Sequence, residues 1–144
     1  MLTPRFDEAL AYARMAHGFQ KRKGSGIPYI AHLLEVSSLV LLHGGDEDEA
    51  IAGLLHDAPE DAGGRPRLED IRATFGDRVA EIVDGCTDTY DQPKPAWRPR
   101  KEAYLVRIPD LSPSARLVSA ADKYANARAL LELTAQWKLP FEQS

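Results

Sequence analysis

The sequence predicts an all-α fold, and three observations predict it. Apolar residues recur at helical spacing along most of the 144 residues. No stretch sustains the period of two, with β-branched residues, that marks a half-buried strand. Capping residues and breakers punctuate the helical stretches at intervals suited to a bundle of about six to eight helices.

Taken in order, Thr3 and Pro4 read as an N-cap and a first-turn proline, followed by Phe6, Leu10, Ala13 and His17 on one stripe. Gly24 to Pro28 is a turn-rich break. A second helix is predicted over 31–42, ended by Gly44 and Gly45, with His43 as a C-terminal cap favourable to the helix dipole. Asp46-Glu47-Asp48-Glu49 offers a capping box before the apolar residues Ile51, Leu54 and Leu55. Pro59 and the Gly63-Gly64 pair bound the next break. Leu68, Ile71 and Phe75 mark a short helix closed by Gly76, and Val79, Ile82 and Val83 mark another, with Asp77 as its cap. Residues 91–99, with Pro93, Pro95, Pro99 and Trp97, read as an irregular loop. Helices resume over 101–108 and from Ser112-Pro113 to about 133.

Length and composition bound the class. A chain of 144 residues, 44% hydrophobic and 28% charged, is expected to form one domain, 1–144, with an ordinary core. The single cysteine, Cys86, allows no intrachain disulfide and reads as a packing residue. The N-terminus lacks a signal peptide's apolar core, and the run over 33–42 is too short to span a bilayer, so a soluble cytoplasmic protein without a membrane role is expected. A net charge of −4 argues against a long nucleic acid as partner. Basic residues still cluster, at Lys21-Arg22-Lys23 and at Arg98, Arg100 and Lys101. Such patches suit a small phosphorylated ligand or, equally, a solvated surface. The pattern sets no oligomeric state.

The stretch that carries chemistry is His56-Asp57-Ala58-Pro59-Glu60-Asp61, which follows the apolar run over 51–55 directly. A His-Asp doublet at the end of a buried helix can offer an imidazole nitrogen and a carboxylate oxygen to one cation. Glu60 and Asp61, three and four residues beyond Asp57, are in reach of a water beside that cation. Burying such a cluster without a metal or a network of partners would be costly. Two more candidate ligands lie elsewhere. His32 follows Pro28-Tyr29-Ile30, where a helix-capping role is the alternative. Asp122 is the odd acid on an apolar face with Leu117, Val118 and Ala121. Imidazole and carboxylate together suit Mn²⁺, Fe²⁺ or Zn²⁺. His17 reads as a core histidine before a ligand. Trp97 and Trp137 read as packing or pocket-wall residues before stacking platforms.

These motifs resemble those of the HD-domain hydrolases of the RelA/SpoT type, and within them the stand-alone small alarmone hydrolases of the metazoan SpoT kind. The resemblance lies in Ala16-His17-Gly18-Phe19-Gln20-Lys21-Arg22-Lys23, Gly26-Ile27-Pro28-Tyr29-Ile30-Ala31-His32-Leu33, the 52–61 stretch, Ile71 to Gly76, and Ala121-Asp122-Lys123-Tyr124-Ala125-Asn126. It runs in the family's order over about residues 6–131. The resemblance implies that His32, His56, Asp57 and Asp122 hold a metal, expected to be Mn²⁺. It implies that Glu60 and Asp61 orient or deprotonate the attacking water, and that Arg22, Lys23 and Asn126 contact a guanosine nucleotide. The implied activity is hydrolysis of (p)ppGpp to GDP or GTP and pyrophosphate, without a covalent intermediate. It further implies helices after the Asp122 helix that help close the nucleotide pocket; with Ser144 as the last residue, those contacts are expected to be missing or to come from elsewhere. Two other readings fit the same residues: an HD phosphohydrolase of another nucleotide, and an inactive domain that binds nucleotide or partner without turnover.

Overall fold

The computed structural model describes the backbone of residues 1–142 and the side chains of residues 1–135, so the side chain of Trp137 lies outside the described residues. Among the described residues eight α-helices follow one another: α1 (Pro4–His17), α2 (Ile30–Leu42), α3 (Glu47–Leu55), α4 (Ala58–Asp61), α5 (Gly64–Phe75), α6 (Asp77–Cys86), α7 (Trp97–Arg107) and α8 (Pro113–Glu142). A 3₁₀ turn, Ile108–Asp110, joins the last two. The β pairing among the described residues is one isolated antiparallel bridge, Lys21 to Pro28. The all-α expectation therefore holds. No helix of the described residues is long and apolar enough to cross a membrane.

The middle of the bundle is α3. Ala50 through Leu55 are all buried, and a helix apolar all round belongs inside a core. It packs against α1, α2, α6 and α8. Its start is the capping box read from the sequence: the Glu49 N–H donates to Asp46 at 3.0 Å, and the Asp46 N–H donates to Glu49 at 2.9 Å. Against α2 it comes unusually close. A Cβ at Gly53 would sit 3.2 Å from Ser37 Cα, and Ser37 Oγ donates to the Ala50 carbonyl at 2.9 Å. Since α2 and α3 run in opposite directions through a short turn, the start of α2 meets the end of α3. His32 and His56 are placed at that meeting. Truncating Leu54, which is fully buried in the helix that leads into His56, should cost about 2–5 kcal/mol. Urea unfolding of Leu54→Ala should show a lower midpoint with an unchanged slope.

Several boundaries differ from expectation. Pro59 reads as a breaker in the sequence, yet it is the second residue of α4, where a proline's missing N–H has no intrahelical partner to lose. Pro99 likewise lies in the first turn of α7, which begins at Trp97 and not at 101, so the irregular loop ends at 96. Asp77 is not a cap. Gly76, with φ of 102°, precedes the helix, and the Asp77 carboxylate accepts from Arg72 at 3.3 Å. The last helix also continues past 133, to Glu142. His43 does cap α2, its Nδ1 lying 2.9 Å from the Leu39 carbonyl oxygen. Burial pushes the Cys86 thiol up to about 12, which fits a packing residue and no nucleophile.

Candidate metal centre

Four side chains from three places in the chain converge at one end of α3. His32 lies in the first turn of α2, His56 and Asp57 follow the last residue of α3, and Asp122 projects from α8. One donor atom from each lies within 4.8 Å of the others. His32 Nε2 and His56 Nε2 lie 2.9 and 3.2 Å from the same Asp122 Oδ1. Asp57 Oδ2 lies 3.1 Å from His56 Nε2 and 3.9 Å from His32 Nε2. Both imidazoles are 2% exposed, so water does not solvate them.

The donor set fits a divalent cation. His56 Nδ1 lies 2.7 Å from the Gly53 carbonyl oxygen. That oxygen only accepts, so Nδ1 carries a proton and Nε2 is the nitrogen that faces Asp57 and Asp122, able to offer them a proton or to offer a cation its lone pair. Two carboxylates facing both Nε2 atoms at about 3 Å call for positive charge between them, which a cation supplies when the rings are neutral and protons supply when they are not. Ligands each about 2.1 Å from a shared ion lie roughly 3–4 Å apart, which is the spacing observed. The charges already respond to one another. Burial works against the ionised carboxyl of Asp57, but the His56 imidazole outweighs it and holds the group down at about 2. Burial likewise opposes ionisation of Asp122, and His56 and His32 hold it well below the carboxylate range. For His56 itself burial lowers the value, while Asp57 and Asp122 raise it more.

Surrounding groups fix this arrangement. The Tyr29 hydroxyl donates to Asp57 Oδ2, and burial keeps that phenol protonated by pushing its pKa up. Lys123 Nζ donates to Asp122 Oδ2 at 3.0 Å, and Asn126 Nδ2 to Oδ1 at 3.3 Å. Glu60 and Asp61 sit in α4, the single turn that starts right after Asp57. Lys94 reaches them from the proline-rich loop, donating to Glu60 Oε2 at 3.2 Å and to Asp61 Oδ1 at 2.9 Å. Burial, helped by Asp88 and Asp57, raises the Glu60 carboxyl despite Lys94.

A cavity of about 1160 Å³ opens onto His32, with Arg22, Lys23, Trp97, Asn126 and Leu133 among its walls. Arg22 Nη2 donates to Asn126 Oδ1 at 3.2 Å. The loop that carries Arg22 is closed by hydrogen bonds from Arg22 N to Ile27 O (2.8 Å) and from Tyr29 N to Gln20 O (2.9 Å). Across the cavity, Arg128 of α8 grips Glu35 of α2 through Nε and Nη2, at 2.5 and 2.6 Å. The stretch of α8 beyond Asp122 thus supplies one wall of the cavity, with Asn126, Arg128 and Leu133.

The candidate ligands, water-handling acids and nucleotide contacts read from the sequence each have a place. His32, His56, Asp57 and Asp122 meet, with Glu60 and Asp61 beside them. Arg22, Lys23 and Asn126 line the cavity, as does Trp97. His17 lies outside the cluster and bonds Gln20. Lys101 pairs with Asp88, and Arg98 forms an exposed pair with Glu102 one turn on. Sequence reasoning missed Lys94, Gln20, Tyr29 and Lys123 as site neighbours. Tyr29 and Lys123 adjoin ligand motifs and could have been suspected. Gln20 lies in the 16–23 stretch that carries the resemblance but was given no role, and Lys94 carried no signal at all.

Comparison with known proteins agrees with this geometry. The family model described as HD domain matches residues 9–141. Over 130 residues the chain is 38% identical to the guanosine-3′,5′-bis(diphosphate) 3′-pyrophosphohydrolase MESH1 of Xenopus tropicalis, covering 88% of this chain and 70% of that protein. The human protein of the same name is 35% identical over the same coverage. A solved structure, described as a metazoan ortholog of SpoT that hydrolyses ppGpp, superposes with a TM-score of 0.81. It is 32% identical, with 91% of this chain and 72% of that one covered.

Proposed function

The chain belongs to the HD-domain family, and we propose that within it this protein is a guanosine-3′,5′-bis(diphosphate) 3′-pyrophosphohydrolase with Mn²⁺ as its metal. One observation carries the reading: His32 belongs both to the ligand cluster and to the cavity whose walls include Arg22 and Asn126. A nucleotide seated there presents its phosphates to the cluster. The similarity to MESH1 proteins named for this activity supports it. Residues 1–144 are taken to act as one domain, in keeping with the family match over 9–141.

His32, His56, Asp57 and Asp122 would hold the cation, which when bound lowers the pKa of a water and offsets phosphate charge. Glu60 is the group suited to take the water's proton: its carboxyl is raised by burial, so it is a stronger base than an exposed glutamate. Asp61 shares the orienting work. The water oxygen attacks the phosphorus joined to O3′ and the P–O3′ bond breaks. The products are GDP or GTP, with a 3′-hydroxyl, and pyrophosphate that carries the water's oxygen. Arg22 can lie flat against a purine while Lys23 meets phosphate charge.

A panel of nucleotides assayed with Mn²⁺ tests the reading, with pyrophosphate and GDP formed from ppGpp as the expected products. Arg22→Ala should raise KM for ppGpp about tenfold or more and change kcat little, since a stacked or paired guanidinium contributes uniform binding. A small chromogenic phosphodiester, having no purine, should be indifferent to the change. Equal losses on both substrates would mean that Arg22 supports the fold instead.

A further inference from the structure

His17 and Gln20 lie where α1 ends and the chain turns toward α2, and the ligand cluster uses neither. His17 is 7% exposed, and its Nδ1 lies 2.8 Å from Gln20 Oε1. An amide oxygen only accepts, so the imidazole N–H donates. The other ring nitrogen, Nε2, is buried without a partner among the described residues. Gln20 Nε2 in turn donates to Asp61 Oδ2 at 3.1 Å. Turned over, the amide would set its oxygen against the Asp61 carboxylate, two acceptors facing each other. The carboxylate selects the orientation, and in it the buried ring anchors the amide oxygen while the NH₂ holds one carboxylate oxygen.

The pair is itself well held. The His17 ring packs on Tyr29, with centroids 5.3 Å apart, and the Gln20 carbonyl accepts from Tyr29 N at 2.9 Å. The second Asp61 oxygen, Oδ1, accepts from Lys94 at 2.9 Å. Asp61 is thus fixed on both oxygens, by an ammonium on the loop side and by an amide locked to a buried ring on the core side. Lys94 carries a charge that arriving phosphate can attract. Gln20 is neutral and anchored, so its contact persists when substrate enters.

We propose that Gln20 is a positioning residue for the hydrolysis, oriented by His17, and that it acts through Asp61. The inference rests on the pyrophosphohydrolase reading and assigns His17 a role other than ligand or inert core residue. Gln20 bonds no residue of the ligand cluster, so its loss should fall on kcat and spare KM and metal content.

Steady-state kinetics on ppGpp with Mn²⁺ tests it, using wild type, Gln20→Leu, Asp61→Asn and the double variant. Gln20→Leu should lower kcat about 10- to 100-fold, the worth of a hydrogen bond to a charged group, with KM and bound metal unchanged. In the Asp61→Asn background the same substitution should change kcat less than about twofold. His17→Phe keeps the ring packing without the donor; it should lower kcat alone and add nothing to Gln20→Leu. Gln20→Met, closer in shape, should repeat the Gln20→Leu result and guards against a folding defect. Full kcat in Gln20→Met, or equal losses with and without the Asp61 carboxylate, would overturn the proposal while the function stands. A wild-type protein that fails to turn over ppGpp would overturn both.

Discussion

Glu60→Gln should lower kcat for ppGpp about 100- to 10,000-fold while metal content and nucleotide affinity stay nearly as they are. The amide keeps the size of the carboxylate but is a poor base, so the loss falls on proton transfer. Geometry separates Glu60 from the ligand cluster: its Oε2 bonds Lys94 at 3.2 Å, while the convergent donor atoms are those of His32, His56, Asp57 and Asp122. Burial, with Asp88 and Asp57 adding to it, raises the Glu60 carboxyl in spite of Lys94. That moves it toward neutral pH, where a general base works best. The substituted amide retains an oxygen for Lys94 and leaves the α4 backbone untouched, so the fold should be indifferent. Kinetics and elemental analysis on the same preparation check this. A variant emptied of metal would show that Glu60 is a ligand and would sink the role assigned to it.

How much of this was legible beforehand depended on the range of the interactions. The capping box at Asp46 and Glu49 spans three residues, and both of its hydrogen bonds are where the sequence put them. Asp122 could be suspected because an acid on an apolar helix face needs a partner, whatever that partner is. Pro59 and Pro99 misled because a proline stops a helix only when it arrives after the first turn. Contacts across long separations were invisible. Arg128 meets Glu35 over 93 residues, and Lys94 meets Asp61 over 33 residues. Nothing local to Pro93-Lys94-Pro95 says that the loop returns to α4. His17 and Gln20 are only three residues apart, yet their meaning depends on Asp61, which the fold alone brings to them.

Asp122→Asn should abolish tight metal binding and lower turnover about 10³-fold or more, beyond the roughly 10- to 100-fold typical of outer-sphere partners. One oxygen, Asp122 Oδ1, lies within 3.2 Å of both imidazole nitrogens, so it stands at the centre of the donor set. Replacing the carboxylate by an amide removes a negative charge from a site in which two imidazoles are almost wholly buried. Shape is kept, so the apo variant should fold. It loses a carboxylate that His56, His32 and Lys123 hold ionised in spite of burial, so its melt in chelator should lie below that of wild type. Thermal melts separate binding from folding. Wild-type protein should melt higher as Mn²⁺ is added, by the mass-action gain of about 2.7 kcal/mol at a hundredfold excess over Kd. A chelator should reverse the shift. Asp122→Asn should melt as a folded protein in chelator and show no shift with Mn²⁺. About one metal per wild-type chain and little in the variant is the expected elemental result. A variant that holds a full complement of metal would remove Asp122 from the ligand set. A wild-type melt indifferent to Mn²⁺ and chelator alike would remove the cation from the mechanism.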